Sequence, residues 1–351
     1  MTNEINLNDK KFLIDLGWDA ALQASLVDVT TGDAETYLIG RVSRLDRGWS
    51  TVMMSAHGDT IRTRNIGADV AVGDWVLVSS DGERVHLVLQ RNSALTRRVS
   101  SDVVKAESHT VAANIDTVFL VQSASNPPNQ RRLERELVLA FDSGAQPVIV
   151  VNKCDLVDEV MLESILSDIR PVAEGVAVHF VSAVDGTGLD ELRNYGHGHR
   201  TLVVLGASGV GKSMLVNALA GSVLQSIGEV RSGDQRGRHT TVAAELVPLL
   251  GGGWLIDTPG LRAVSLWISH RGIELAFADV FAATENCRFR DCKHESEPDC
   301  AVHTAVVAGV FSQERLNNMR ALVAEEVSLE NEQIRYKRSA SRRGIRHPRP
   351  A

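Results

Sequence analysis

Gly206-Ala207-Ser208-Gly209-Val210-Gly211-Lys212-Ser213 stands between the apolar run Thr201–Leu205 and a helix-compatible stretch at 212–220. A G-x-x-x-x-G-K-S string between strand and helix predicts a phosphate loop. Its glycines let backbone N–H groups curl around phosphate oxygens, and the helix N-terminus adds a favourable dipole. Lys212 is placed to reach the β and γ oxygens and Ser213 to ligate Mg²⁺. Met214, next along the helix, joins the expected nucleotide-binding set.

Upstream, Asn152-Lys153-Cys154-Asp155 follows the apolar run 147–151, and Ser182-Ala183 follows Ala177–Val181. Asp155 can accept two hydrogen bonds from the guanine ring N–H and exocyclic amine, which adenine does not offer in that arrangement. Buried polar groups of this kind discriminate by roughly 10⁴-fold or more. Asn152 and Lys153 would brace the loop and cover the base. Cys154 is the variable position, and the Ala183 N–H would meet the guanine O6. Downstream, Asp257-Thr258-Pro259-Gly260 follows Trp254-Leu-Ile256. Asp257 would hold Mg²⁺ through water, and the Gly260 N–H would sense the γ-phosphate. The Gly/Arg-rich loop 228–241 ends in Arg238-His239-Thr240-Thr241. One of Thr240 and Thr241, the latter preferred, can close over Mg²⁺, which makes this loop the expected switch. Leu261 cannot polarise water. His239 is the nearest candidate to hold the attacking water, against the reading of a surface histidine without a role.

These motifs stand in a rotated order: base recognition first, phosphate loop afterwards. The same sheet with its chain ends moved accounts for that. The runs Ile115–Val121, 147–151, Ala177–Val181 and Thr201–Leu205 are near-continuously apolar, as in buried parallel strands. Helical stretches at 130–141, 158–169 and 212–220 separate them, which predicts a parallel sheet with helices on both faces.

At 351 residues the chain has room for two or three domains, with 44% hydrophobic and 23% charged residues. A net charge of −7 does not advertise a nucleic-acid partner. No apolar run reaches bilayer length, and the N-terminus lacks an export signal. A cytoplasmic monomer with no membrane partner is expected.

Residues 1–34 are expected to be an extension, with Phe12, Leu13, Leu16, Ala20 and Leu22 on one short amphipathic helix. Five short strands follow at Tyr37–Val42, Ser50–Met54, Thr60–Thr63, Trp75–Val78 and Arg84–Leu89, punctuated by Gly and Asp. They suit a small closed barrel of the OB type. Arg41, Arg44, Arg47, Arg62 and Arg64 favour RNA contact over a barrel without a binding role. Residues 91–110, with Arg91, Arg97 and Arg98, read as a linker.

Beyond 262, residues 273–282 and 304–327 look helical, the second with Leu316, Met319, Leu322 and Val323 on one face. Between them Cys287-x₄-Cys292-x-His294-x₅-Cys300 offers three thiolates and an imidazole, a closed tetrahedral set for structural Zn²⁺. His303 rivals His294 as the fourth ligand. From Arg335 to Arg349 there are seven Lys or Arg and no acid, a solvated tail or a polyanion-binding arm.

Together these motifs resemble the ribosome small-subunit-dependent GTPase A family, also called RsgA or YjeQ. The likeness rests on the permuted order of motifs, on Val72-Gly73-Asp74-Trp75 and on the cysteine spacing. It implies a multidomain α/β protein: an OB-fold RNA-binding domain (35–98), a circularly permuted P-loop GTPase domain (99–268) and a helical zinc-binding domain (269–334), flanked by the extension 1–34 and the basic tail 335–351. It also implies GTP hydrolysis in late maturation of the small ribosomal subunit, with that subunit and its rRNA as partners and GTP/GDP as ligand. Mg²⁺ would accompany GTP. Zinc on Cys287, Cys292, His294 and Cys300, and a hydrolytic role for His239, come from the likeness. Two alternatives stay open: a ribosome-docking module with GTP as a binding switch of negligible turnover, and a GTPase acting on another RNA or protein.

Overall fold

A computed structural model describes residues 10–30, 37–56, 58–98, 108–222, 244–258, 269–295 and 297–342. Two helices open it, α1 (Lys10–Asp15) and α2 (Ala20–Thr30), where one was expected. Gly17, at φ +96°, turns the chain between them, and the Asp19 carboxylate caps the second by accepting from the Leu22 N–H at 2.8 Å. Leu16, Trp18, Leu22 and Leu26 are buried, and Trp18 meets Trp75 edge to face at 4.9 Å. This segment is part of the core.

The five expected short strands are all present: β1 (Tyr37–Asp46), β2 (Trp49–Met53), β3 (Thr60–Arg64), β4 (Trp75–Ser79) and β5 (Val85–Val88). Their order is β3-β2-β1-β4-β5, and an isolated parallel bridge between Arg64 and Arg84 joins its two ends. Val42, Val52, Val76, Val78 and Val85 pack together into a small core of their own.

The expected linker is instead a hairpin. Strands β6 (Ala94–Arg98) and β7 (Ser108–Ala113) pair antiparallel. Arg97 is exposed on this hairpin, whereas Arg91, just ahead of it, is paired. Arg91 donates to both Asp74 carboxylate oxygens, at 2.7 and 2.8 Å, and to Thr110 at 2.8 Å. Asp74 is fully buried; burial pushes its carboxyl above the usual range against the pull of Arg91.

The parallel strands follow: β8 (Thr117–Ser123), β9 (Gln146–Asn152), β10 (Ala177–Val181), β11 (Thr201–Gly206) and β13 (Trp254–Asp257), with β12 (Glu245–Pro248) antiparallel beside β13. The order is β10-β9-β8-β11-β13-β12, and it continues into β1 through one pair, Arg44 with Glu245. Period two splits β8 between two cores. Val118 and Leu120 pack with α3 (Gln130–Ser143), while Phe119 and Val121 pack with α6 (Lys212–Ala220). Asn129 caps α3 by accepting from the Arg132 N–H, and Gly144 ends it in the left-handed region. Helices α4 (Glu159–Ile169) and α5 (Leu189–Arg193) complete the crossovers.

The C-terminal part is helical: α7 (His270–Ala276), α8 (Ala278–Thr284), α9 (Ala301–Val307) and α10 (Gln313–Arg342). Both expected helices are therefore divided, at Phe277 and at 308–312. The basic run begins inside α10, and residues 343–351 lie outside the described part.

Candidate functional site

Strand β11 ends in Gly206 and α6 begins at Lys212, so the phosphate loop occupies the turn expected of it. Its glycines answer steric demands. A Cβ on Gly206 would sit 2.5 Å from the Val121 carbonyl oxygen, and one on Gly211, at φ +94°, 2.4 Å from the Asn152 amide nitrogen. Lys212 Nζ donates to the carbonyls of Gly206 and Ala207 at 2.9 and 2.6 Å. Burial lowers the pKa of this ammonium, and Glu136 works against the shift.

Asn152 joins three motifs distant in sequence. Its Nδ2 donates to Val210 O at 3.0 Å, and its Oδ1 accepts from the Ala183 N–H at 3.2 Å. Lys153, at φ +68°, lays its Nζ 2.7 Å from Gly209 O. Asp155 lies exposed on the single 3₁₀ turn Cys154–Leu156, immediately past that lysine. Ser182 is buried, and its Oγ accepts from the N–H groups of Val184 and Asp185, which shapes the turn presenting Ala183. Burial raises the Cys154 thiol pKa, with Asp185 and Asp155 adding to it. Ser208 is exposed on the loop; Ser213 and Met214 are half-buried in the first turn of α6.

Asp257 closes β13 next to β11, with Val203 paired to Ile256. Gly260, His239, Thr240 and Thr241, together with Leu261, lie outside the described residues.

Cys287, Cys292, His294 and Cys300 come together with their ligand atoms within 4.8 Å of one another. His294 Nδ1 faces Cys287 Sγ at 3.5 Å and Cys300 Sγ at 3.6 Å. Its rival is engaged elsewhere: His303 Nε2 lies 2.8 Å from the Glu295 carbonyl. Burial tends to raise the Cys287 thiol, but the N–H groups of Val302 and Ala301 outweigh it and lower the pKa, which favours a thiolate. The group could hold a metal ion, and a Cys₃His set suits zinc chemistry. Arg320 of α10 donates to the His294 carbonyl and ties the cluster to the long helix.

The family model described as RsgA GTPase matches residues 88–267. The chain belongs to the RsgA GTPase family. A small ribosomal subunit biogenesis GTPase RsgA from Streptomyces coelicolor is 40% identical over 333 residues, covering 93% of this chain and 89% of that one. One from Methanosarcina acetivorans is 37% identical, covering 88% and 84%. The crystal structure of YjeQ from Thermotoga maritima superposes with a TM-score of 0.62 at 27% identity, covering 83% of this chain and 99% of that one. YloQ, a circularly permuted GTPase, shares the fold with a TM-score of 0.59 at 23% identity, covering 86% and 98%.

In this RsgA GTPase chain several working residues escaped the sequence reading. Arg41, counted with the RNA-facing arginines, is buried. It donates to the carbonyls of Leu16, Gly73 and Asn114 and to Thr201 Oγ1. Desolvation lowers its pKa to about 10, with Asp116 and Asp74 opposing. Glu134 is buried under α10, where Arg315 donates to it at 3.0 Å and to Asp279 at 2.7 Å. Asn318 donates to the other Glu134 oxygen at 2.7 Å. Charged residues on an amphipathic helix ordinarily face solvent, so no local signal marked Arg315 or Glu134. Glu136, buried against Gln122, was missed for the same reason.

Proposed function

We propose that the chain hydrolyses GTP in the biogenesis of the small ribosomal subunit. The observation that carries this is Asn152, whose amide links the Asn-Lys-x-Asp strand to the phosphate loop and to Ala183. Three of the motifs, in rotated chain order, thus meet at one amide. The biogenesis role comes from the names of the relatives.

In this reading Asp155 and the Ala183 N–H select guanine, and Asn152 and Lys153 hold their loop. Cys154, Ser182 and the stretch from Gly206 to Met214 complete the nucleotide contacts. Lys212 meets the β and γ phosphates. Ser213, Asp257 and one of Thr240 and Thr241 serve Mg²⁺, which supplies charge neutralisation across the phosphates when bound. Gly260 senses the γ-phosphate, and His239 positions the water that Leu261 cannot. An unaided site of this kind turns over at only about 10⁻⁴ to 10⁻³ per second, so stimulation by the subunit is expected to be large.

Residues 35–98 form the OB-type barrel in this division, 99–268 the permuted GTPase unit and 269–334 a lobe stapled by zinc on Cys287, Cys292, His294 and Cys300. Residues 1–34 and 335–351 flank them. The parallel Arg64–Arg84 bridge supports the OB assignment. With Arg41 removed from the set, Arg44, Arg47, Arg62 and Arg64 are left to face rRNA. Trp49 stands between the last two, with each guanidinium about 5 Å from the ring centroid (5.1 and 5.0 Å). The lobe is attached to the GTPase unit by α3, where Ser269 donates to Asp142 and Gly272 packs against Val138 O. The chain runs on from Gly260 into this lobe, so γ-phosphate contacts at Gly260 would reposition it.

Phosphate release, with and without purified small subunits, tests the reading. Strong stimulation that disappears in His239→Ala, with nucleotide affinity within a few-fold, is the expected result. Negligible turnover in both conditions would favour a docking module that uses GTP only as a binding switch.

A further inference from the structure

Glu136 has no part in the mechanism above, yet it is 1% exposed. Val121 pairs with Gly206, the first residue of the phosphate loop. Its neighbour Gln122 donates from Nε2 to Glu136 Oε2 at 2.8 Å. The charged groups acting on this carboxyl, among the described residues, are Arg132, one turn earlier on α3, and Lys212. Lys212 is itself held to the carbonyls of Gly206 and Ala207.

We propose that Glu136 is a positioning residue of the phosphate loop: its negative charge restrains the Lys212 ammonium and opposes the arriving phosphates, and so sets nucleotide affinity. This rests on the phosphate-loop reading. Burial pushes the Glu136 carboxyl up to about 7, against the Gln122 hydrogen bond and the charges of Arg132 and Lys212. An amide partner suits such a group, because its N–H can serve the ionised form and its carbonyl the protonated one. A bound phosphate chain adds negative charge near the carboxyl and raises its proton affinity further. Nucleotide binding therefore takes up a proton near neutrality, and affinity falls as pH rises past 7.

Glu136→Gln keeps size and the Gln122 contact but carries no charge; Glu136→Asp keeps the charge and disturbs the packing. Mg·GDP binding is measured by calorimetry at pH 6, 7 and 8 for the wild type and both variants, with circular dichroism as a fold check. One linked pKa unit corresponds to a factor of ten. The wild type is expected to weaken about tenfold from pH 6 to 8 relative to E136Q, E136Q to bind about tenfold tighter at pH 8, and E136D to keep the wild-type slope. Equal affinity and slope in the wild type and E136Q would overturn the inference, as would an E136D profile as flat as that of E136Q. Failure of all three proteins to bind GDP would overturn the phosphate-loop reading itself.

Discussion

Arg41 Nη2 donates to Thr201 Oγ1 at 2.7 Å. The first strand of the N-terminal sheet is thereby fastened to the strand that ends in the phosphate loop. The same guanidinium holds the Leu16 carbonyl at 2.7 Å, so one side chain secures α1, β1 and β11 together. Among the described residues its hydrogen-bond partners are carbonyls and a hydroxyl.

Arg41→Ala would leave those buried acceptors without a donor. Each unsatisfied group costs about 1–3 kcal/mol, so a loss of at least 3 kcal/mol is expected (~3, order of magnitude). Urea unfolding measures it. A change within about 0.5 kcal/mol, the scale of a surface substitution, would show that the hub carries no stability.

Asn152→Ala removes the bridge between Val210 O and the Ala183 N–H. Guanine-nucleotide affinity is expected to fall by about a hundredfold or more, equivalent to roughly 3 kcal/mol, because both base-recognition loops lose their register with the phosphate loop. Titration with a fluorescent GDP analogue reads this out, and an unchanged Kd would refute the bridging role.

Glu136 also makes stability depend on pH. Its folded pKa, about 7, stands above the ordinary 4.5. The protonated form is favoured in the fold, so its contribution is complete below pH 4.5 and is lost as pH rises through 7. Glu136→Gln should therefore stabilise the nucleotide-free protein at pH 8 by something on the order of 3 kcal/mol, and by almost nothing at pH 4. Denaturation midpoints at the two pH values test the sign. A variant less stable than wild type at pH 8 would contradict it.

Removing one ligand of the Cys₃His group, as in Cys300→Ser, is expected to abolish stoichiometric zinc and loosen the segment 287–307. Metal content by mass spectrometry and protease sensitivity of that segment are the readouts. Structural zinc sites contribute folding energy directly, so full protection without metal would count against a structural role.

Arg315→Met strands Glu134, which is buried. Breaking a buried ion pair from one side costs about 3–5 kcal/mol. Exchanging Glu134→Gln in the same chain should recover part of that loss, and a double-mutant cycle without coupling would rule out the pair as the tie between α3 and α10.

Legibility tracked the range of the interaction. The strand–loop–helix context of Gly206–Ser213, the buried run at 147–151 and the five short N-terminal strands were readable because turn residues and hydrophobic period act over a few residues, whereas Ala177–Val181, expected to be buried, is the end strand of the sheet and only Val181 is fully covered. Residues 91–110 misled because their arginines, taken alone, resemble solvated charge. Arg91 is instead balanced by Asp74, seventeen positions away. The two breaks in the C-terminal helices differ: Gly309, at φ +74°, is a local breaker in the second, whereas the first falls at Phe277, a buried residue with the Arg315 guanidinium 4.7 Å from its ring centroid, where no Gly or Pro marks it.

By itself, the sequence determined the ligand class, the family and the parallel sheet, since these depend on residue types at fixed short spacings. Tertiary structure alone decided that Arg41 turns inward, that His294 rather than His303 joins the thiols, that Leu16, Trp18, Leu22 and Leu26 belong to the core, and that Glu136 is buried against Gln122. Each of those is a question of which distant group compensates a buried polar or charged one. Desolvation must be balanced by whatever the fold brings near, and local spacing does not encode that partner.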